Sequence, residues 1–350
     1  NRLHIMVTGL FIILFSQRKI KFYPLSYRVG STKLYSISHR VQKTYFLALI
    51  LFFFVVLNSF FVRPQILFGA MFNLLMGVVI GKQLGSNKFT ATILLFPFWF
   101  LLTYIIVRLF ENINPNEVFI RSRNYISFFL VITVLPYYFV RINFKRQISV
   151  LPAFLTLILS LFSLGRSGII SATVLFIGVI LASDIKRRTK KIIGFLLLFL
   201  FVLGFNFYLQ NYSALSDFER IVDISDWSKL GGRSTFWKNY FDNLDVFSFI
   251  FGMDLDTFKI LNIGGTYLPG HVHSSILNFI SVVGIGSLLF FIFLFKKINN
   301  AYQHNLPIVF LFSALILRIF SETGCLFGYF DFVVWMFFFV KTDQNIIVKT

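Results

Sequence analysis

The sequence predicts an all-α fold, a polytopic transmembrane helical bundle of about eleven spans with one large extracytoplasmic loop, as membrane-length apolar runs require. Three observations predict it. Hydrophobic residues make up 57% of the 350 residues, 50 are Phe, and the mean hydropathy is +0.78, far outside the range of soluble domains. The apolar residues fall in runs of roughly 16–23, the number a helix needs to cross about 30 Å of hydrocarbon once polar flanks snorkel. These runs are apolar on both faces, which excludes the in–out alternation of barrel strands and leaves helices to satisfy their own backbone.

Taken in order, the runs lie at 3–16, 44–62, 64–81, 89–110, 124–140, 148–163, 167–183, 192–209, 273–295, 306–321 and 325–340. Loops 17–43, 82–88, 141–147, 184–191, 296–305 and the tail from 341 hold 21 Lys and Arg, whereas 63, 111–123, 164–166 and 210–272 hold 9. The positive-inside rule therefore places the first set in the cytoplasm. Three regions follow: 1–209 with spans one to eight, 210–272 as the extracytoplasmic loop, and 273–350 with spans nine to eleven and a short cytoplasmic tail. No cleavable signal is evident, residues 3–16 being apolar but short, and the start at Asn1 rather than Met leads us to expect residues before it.

The formal charge of +19 would suggest nucleic acid only if the cations gathered on one soluble face, and they do not. The lone cysteine, Cys325, permits neither an intrachain disulfide nor a cysteine-based metal site. Loop 210–272 carries 8 of the 14 acids. Within it Trp237, Tyr240, Phe241 and Leu244 recur at helical spacing after Ser234, a residue suited to an N-cap, which predicts a helix over 235–245. That helix lies either on the membrane surface or on the loop's own small core.

Several residues could carry chemistry. The outer loops and outer helix ends hold nine arginines against three lysines. Arginine grips phosphate through two parallel hydrogen bonds and stays charged when partly desolvated, so an anionic outer-leaflet substrate would account for the bias, as would interfacial anchoring. Arg166 sits in Leu164-Gly-Arg-Ser-Gly168, between two apolar runs with almost no loop, where flanking glycines admit another backbone or a ligand. Arg318 precedes Glu322 by one helical turn, and an i,i+4 ion pair accounts for both. Asp331 in the last run is costly in lipid and is expected to face a polar interior. His271 and His273 immediately precede the ninth span. An H-x-H pair needs a third ligand to hold a metal, and Asp254 and Asp256 are not at a ligand spacing. A histidine at the lip of a membrane cavity can serve as a base or a donor.

Three segments in this order carry a resemblance: Ser163-Leu-Gly-Arg-Ser-Gly168 at the outer start of a helix, Gly231-Gly-Arg-Ser-Thr-Phe-Trp237 in the large loop, and His273-Ser-Ser-Ile-Leu277 opening the next helix before Gly284-Ile-Gly286. Together they resemble the O-antigen ligase and O-antigen polymerase superfamily over about 145–295. The resemblance implies a bacterial glycosyltransferase with a GT-C-like bundle, multi-pass in the cytoplasmic membrane, whose active site lies under the outer loop. It implies an undecaprenyl-diphosphate-linked oligosaccharide as donor and acceptor, membrane lipids as surroundings, a flippase and chain-length regulators as further partners, and no cofactor or metal. Arg166 and Arg233 match the family's diphosphate-binding arginines and His273 its catalytic histidine; His271, Arg318 and Asp254 are accessory candidates. Ser163-Leu-Gly165 departs from the family's Ser-x-Ser, Ser274 stands where the family has Asn, and Phe251-Gly-Met-Asp254 resembles a G-x-G turn without its second glycine. The Phe, Ile, Asn and Lys content suggests an AT-rich genome, common among Gram-positive bacteria without lipopolysaccharide, and so favours a capsule or exopolysaccharide polymerase over a ligase. A flippase for lipid-linked sugars is the alternative from another class, although transporters usually carry repeats and mid-membrane charges.

Overall fold

The computed structural model describes residues 31–86, 91–111, 118–119, 124–163, 165–186, 189, 237, 240–255, 259–261, 267–269, 274–322 and 324–340. The expected spans at 3–16 and 192–209 lie outside these residues, as does most of loop 210–272. Residues 1–46 and 47–350 form two compact units.

The described chain is helical apart from one small hairpin. Helix α1 covers Ser31–Phe61 and α2 Leu67–Ser86, joined through a 3₁₀ turn in which Pro64 takes the first position, where its missing N–H costs nothing. Helix α3 covers Phe96–Phe110, α4 Asn124–Asn143, α5 Leu151–Phe162 and α6 Arg166–Ala182. After the loop come α7 at Val246–Phe251 and the antiparallel pair β1 (Lys259–Leu261) and β2 (Tyr267–Pro269). The chain then forms α8 (Ser275–Val283), α9 (Gly286–His304), α10 (Leu306–Ser321) and α11 (Asp331–Phe339). Four stretches, Lys43–Phe61, Pro64–Gly85, Ile93–Phe110 and Asn124–Asn143, are long and apolar enough to cross a membrane. Shorter apolar helices follow at Leu151–Phe162, Ser167–Ala182 and Leu306–Ser321.

Helix α4 is the centre of the core. Nearly every side chain from Ile126 to Asn143 is buried, whereas one face each of α2 and α3 leaves Phe68, Phe72, Phe96, Phe100 and Phe110 exposed, the distribution a lipid-facing helix needs. Two helix pairs are close-packed through small residues. On α2, Gly77 and Gly81 lie against Asp331, Trp335 and Met336 of α11. On α6, Ser171 donates to the Ala314 carbonyl at 2.8 Å, and Gly178 lies against Phe310 and Leu311 of α10.

Two expected spans are interrupted. The run 273–295 is two helices, broken at Gly284, which has φ +51° and faces the Ile250 carbonyl so closely that a Cβ there would collide with it. Helix α9 then continues to His304, through the expected loop 296–305. The run 325–340 is helical only from Asp331; Leu326 and Phe327 both take left-handed φ, at 55° and 74°. Asp331 is buried, but it does not face a polar interior. Its Oδ2 accepts the Phe327 amide at 2.7 Å and its Oδ1 the Gly328 amide at 2.9 Å, so its carboxylate satisfies the turn that begins its own helix. Apolarity hides both breaks from a sequence reading, because it measures compatibility with lipid and not backbone regularity.

The long-range bonds gather helix ends into two sets. Asn143 near the end of α4 donates to the Gly85 carbonyl at the end of α2, and Lys297 in α9 donates to the Val340 carbonyl beyond α11. At the other end, the starts of α4, α6 and α8 meet the end of α10.

Candidate functional site

Arg318 organises that second end. It lies in the last turn of α10, where a cation also complements the helix dipole, and its side chain is 0% exposed. Nη1 donates to Ser167 Oγ at 2.9 Å and Nη2 to the Asn124 carbonyl at 2.8 Å. The expected i,i+4 pair is present, with Nη2 3.8 Å from Glu322 Oε1, and the guanidinium carbon lies 5.6 Å from the centre of the Phe128 ring. One planar cation thus joins the first turns of α4 and α6 to the end of α10.

The glycines of Leu164-Gly-Arg-Ser-Gly168 serve this junction. A Cβ on Gly165 would sit 2.7 Å from Asn124 Oδ1, and one on Gly168 would collide with Ser127 Oγ. The close approach these glycines permit is therefore that of α4. Arg166 occupies the first position of α6, after the extended Gly165; its side chain lies outside the described residues.

Glu322 extends the junction to the third segment through its backbone. Its carbonyl accepts both the Ser275 amide at 3.0 Å and the Ser275 hydroxyl at 2.6 Å, and Ser275 Oγ in turn accepts the Cys325 amide at 3.2 Å. The preceding Ser274 is the N-cap of α8, its hydroxyl accepting the Leu277 amide at 3.4 Å. Serine and asparagine are comparable N-caps, so serine at this position keeps the capping role that asparagine would have. His271 and His273, just upstream, lie outside the described residues.

Arg233 also lies outside them, but Trp237 of the same segment does not. Tyr240 is 1% exposed and forms a cluster with Met253, Leu255 and Leu277, against which Trp237, Leu244 and Ile280 pack. Residues 237 and 240–242 are helical. Within the expected helix 235–245, Trp237, Tyr240 and Leu244 thus pack onto a cluster that includes Leu277 of α8, and Phe241 is exposed. Burial pushes the Tyr240 phenol above 10.0, outweighing the opposite pull of the Ser281 hydroxyl. Asp245 caps α7 by accepting the Ser248 amide at 2.7 Å, and its bonds to the Ser248 side chain and amide hold its carboxyl below 3.8.

Asp254 faces protein, not a ligand set: Arg63 Nε lies 3.2 Å from its Oδ1, with the side chains 17% and 22% exposed. The turn before it is fixed by Asn58, whose Nδ2 donates to the Phe251 carbonyl at 2.7 Å and the Ser281 carbonyl at 3.1 Å, and by the Met253 amide, which donates to Ser281 O at 2.8 Å. Gly252, at φ +95°, lies so close to Ser281 that a Cβ is excluded. Among the described residues no three His, Cys, Asp or Glu gather as a metal site would require.

Sequence reasoning found Arg318 and Glu322 by their spacing and missed Asn58, Asn124, Ser167 and Ser275. The signal for Ser167 and Ser275 was their place beside the two motif residues Arg166 and Ser274. Asn58 carries no such mark; only its polarity inside an apolar run sets it apart.

Fold and site together define a class, a helical protein with several helices of membrane-crossing length and a polar junction at one end of them. No family model matches the chain, and no curated protein or solved structure is similar to it.

Proposed function

We propose that the chain is a membrane glycosyltransferase of the O-antigen polymerase and ligase type, acting as a polymerase that joins undecaprenyl-diphosphate-linked oligosaccharide repeats on the outer face of a bacterial cytoplasmic membrane. On this reading the bundle has eleven spans in a GT-C-like arrangement and 210–272 is extracytoplasmic. The observation that carries the proposal is the convergence of residues adjoining all three resembling segments. Arg318 holds Ser167, the Glu322 carbonyl holds Ser275, and Trp237 packs on the cluster containing Leu277, although these segments are far apart in sequence. A site assembled from remote segments is what a two-substrate transfer needs.

In the proposed reaction Arg166 and Arg233 grip the donor diphosphate and stabilise the negative charge that grows as the anomeric carbon–oxygen bond breaks. His273 accepts the proton of the acceptor hydroxyl as its oxygen bonds to that carbon. Undecaprenyl diphosphate leaves, and a single displacement inverts the anomeric centre, since retention by the usual route needs a carboxylate nucleophile. The leaving group is already activated, so two arginines can take the part of a metal ion.

Purified protein given a short lipid-diphosphate oligosaccharide should form longer chains, with or without a chelator. Arg166→Ala or Arg233→Ala should each lower kcat by about 10²–10³-fold, the usual effect of losing a transition-state donor, and His273→Ala by about 10²–10⁴-fold. Full activity in all three folded variants would refute the assignment. Chains of unchanged length moved between leaflets would mark a flippase instead.

A further inference from the structure

We infer that Arg318 is a positioning residue of the transfer site, fixing the start of α6, which carries Arg166, relative to the start of α8, which His273 precedes. The inference rests on the function proposed above and deepens it. Arg318 is fully buried, and both terminal nitrogens are engaged within the protein, on Ser167 and the Asn124 carbonyl, so it acts through these neighbours. What it controls is spacing. Its fork reaches two elements at once, which a lysine ammonium, a single point of charge, does not reproduce. The end of the same helix holds Ser275 through the Glu322 carbonyl, so a shift of Arg318 against α6 changes the separation between the two helix starts.

Stability alone gives little reason for the pair. Replacing a buried ion pair by apolar side chains of similar volume is often neutral or stabilising, and the Phe128 ring against the guanidinium offers methionine an apolar contact, although the Asn124 carbonyl loses its donor. A charged pair at 0% and 3% exposure is better accounted for by the one arrangement of helix starts it specifies. Misplacing reacting groups by about 1 Å can cost about 10²-fold in rate, so a fixed spacing has a direct catalytic value.

The test compares Arg318→Lys and the apolar double variant Arg318→Met/Glu322→Leu with the parent protein. The double variant, in which the Asn124 carbonyl loses its donor, should stay folded with at most a modest drop in melting temperature, yet extend lipid-linked chains with kcat reduced about 10²-fold and KM within about threefold. A merely structural residue would not give that split. Ser167→Ala should lower kcat in the parent and add nothing in Arg318→Lys, because both act through one contact. Chain extension within about threefold of the parent in a folded Arg318→Lys or double variant would overturn the inference.

A second readout does not depend on activity. Cys325 is buried, and its amide is bonded to Ser275 at the start of α8, so its thiol reports whether that start stays docked. Maleimide should label it slowly in the parent and faster in Arg318→Lys; an unchanged rate would overturn the proposed tie. If the parent itself fails to extend chains, the proposed function fails, and the labelling comparison still decides whether Arg318 holds the helix starts.

Discussion

Glycine 81 of α2 offers a sharp test of the packing. A Cβ at this position would lie 2.7 Å from Trp335 Cβ and 2.9 Å from both the Met336 amide nitrogen and the Phe332 carbonyl oxygen. Unstrained carbon contacts fall at about 3.5–4.0 Å, and two of the three neighbours are backbone, so relief requires α2 and α11 to separate by several tenths of an ångström or more. Overpacking of this kind costs about 1–3 kcal/mol, against a gain of about 1 kcal/mol from replacing glycine by alanine within a helix. Gly81→Ala should therefore destabilise by up to about 2 kcal/mol. Gly69 on the same helix has nothing within 4 Å of an added Cβ, and Gly69→Ala should stabilise by about 0.4–1 kcal/mol. Gly85, whose nearest contact is an ordinary 3.5 Å to Phe339 Cβ, should fall between them. Unfolding of the three purified variants in one detergent, by thermal melt or denaturant titration, gives the order directly. Gly81→Ala as stable as Gly69→Ala would refute the close approach of α2 and α11.

Asn58→Ala should destabilise by about 1–2 kcal/mol, because it takes the Asn58 donor from the Phe251 carbonyl and leaves the Ser281 carbonyl with the Met253 amide alone; the same melt checks it, and a change under about 0.5 kcal/mol, the level of an ordinary surface substitution, would count against the contact. Asp245 sets a pH response. Its carboxyl is held below 3.8, so its contribution to α7 is complete above that value and is lost as the pH falls through the lower folded value. Hydrogen-exchange protection of the Ser248 amide, corrected for the intrinsic rate, should be level down to about pH 4 and decline below it; Asp245→Ala should show low protection throughout.

Much of the helical layout is legible because length and apolarity decide whether a segment can lie in lipid. The runs 124–140, 148–163, 167–183 and 306–321 match α4, α5, α6 and α10 closely, and the Arg318–Glu322 pair follows from helical spacing alone. The interruptions at Gly284 and at 324–330 are not legible. Each is fixed by a neighbour remote in sequence, the Ile250 carbonyl in one case and, in the other, Asn73, which donates to the Phe327 carbonyl at 2.8 Å. The α2–α11 contact could have been read, since Gly77, Gly81 and Gly85 recur every four residues, the spacing that lets helix backbones approach. For the site, the motifs mark Arg166, Arg233 and His273, whereas the joining of the starts of α4 and α6 to the end of α10 runs through Arg318, whose reach to Ser167 and Asn124 no local pattern encodes.

The polar side chains that bond backbone outside their own helix follow one physical rule, and it bears on where the candidate site lies. In an apolar bundle a regular helix satisfies its own backbone, so donors and acceptors are needed only at ends and breaks. Among the described residues, Asn58 serves the ends of α7 and α8, Asn73 the turn before α11, Asn143 the end of α2, Lys297 the end of α11, Ser275 the end of α10, and Asp331 its own helix start. Ser171, bonded to Ala314 within α10, is an exception that fits the close packing of α6 and α10. Arg318 belongs to the same set, but it differs in gathering three helix ends where the others secure one or two. That is where polar groups are already concentrated and helix N-termini already favour anions. A diphosphate-handling site built beside this junction would use ends the fold must stabilise in any case, which would account for Arg166 opening α6 and for His273 preceding α8 in the sequence.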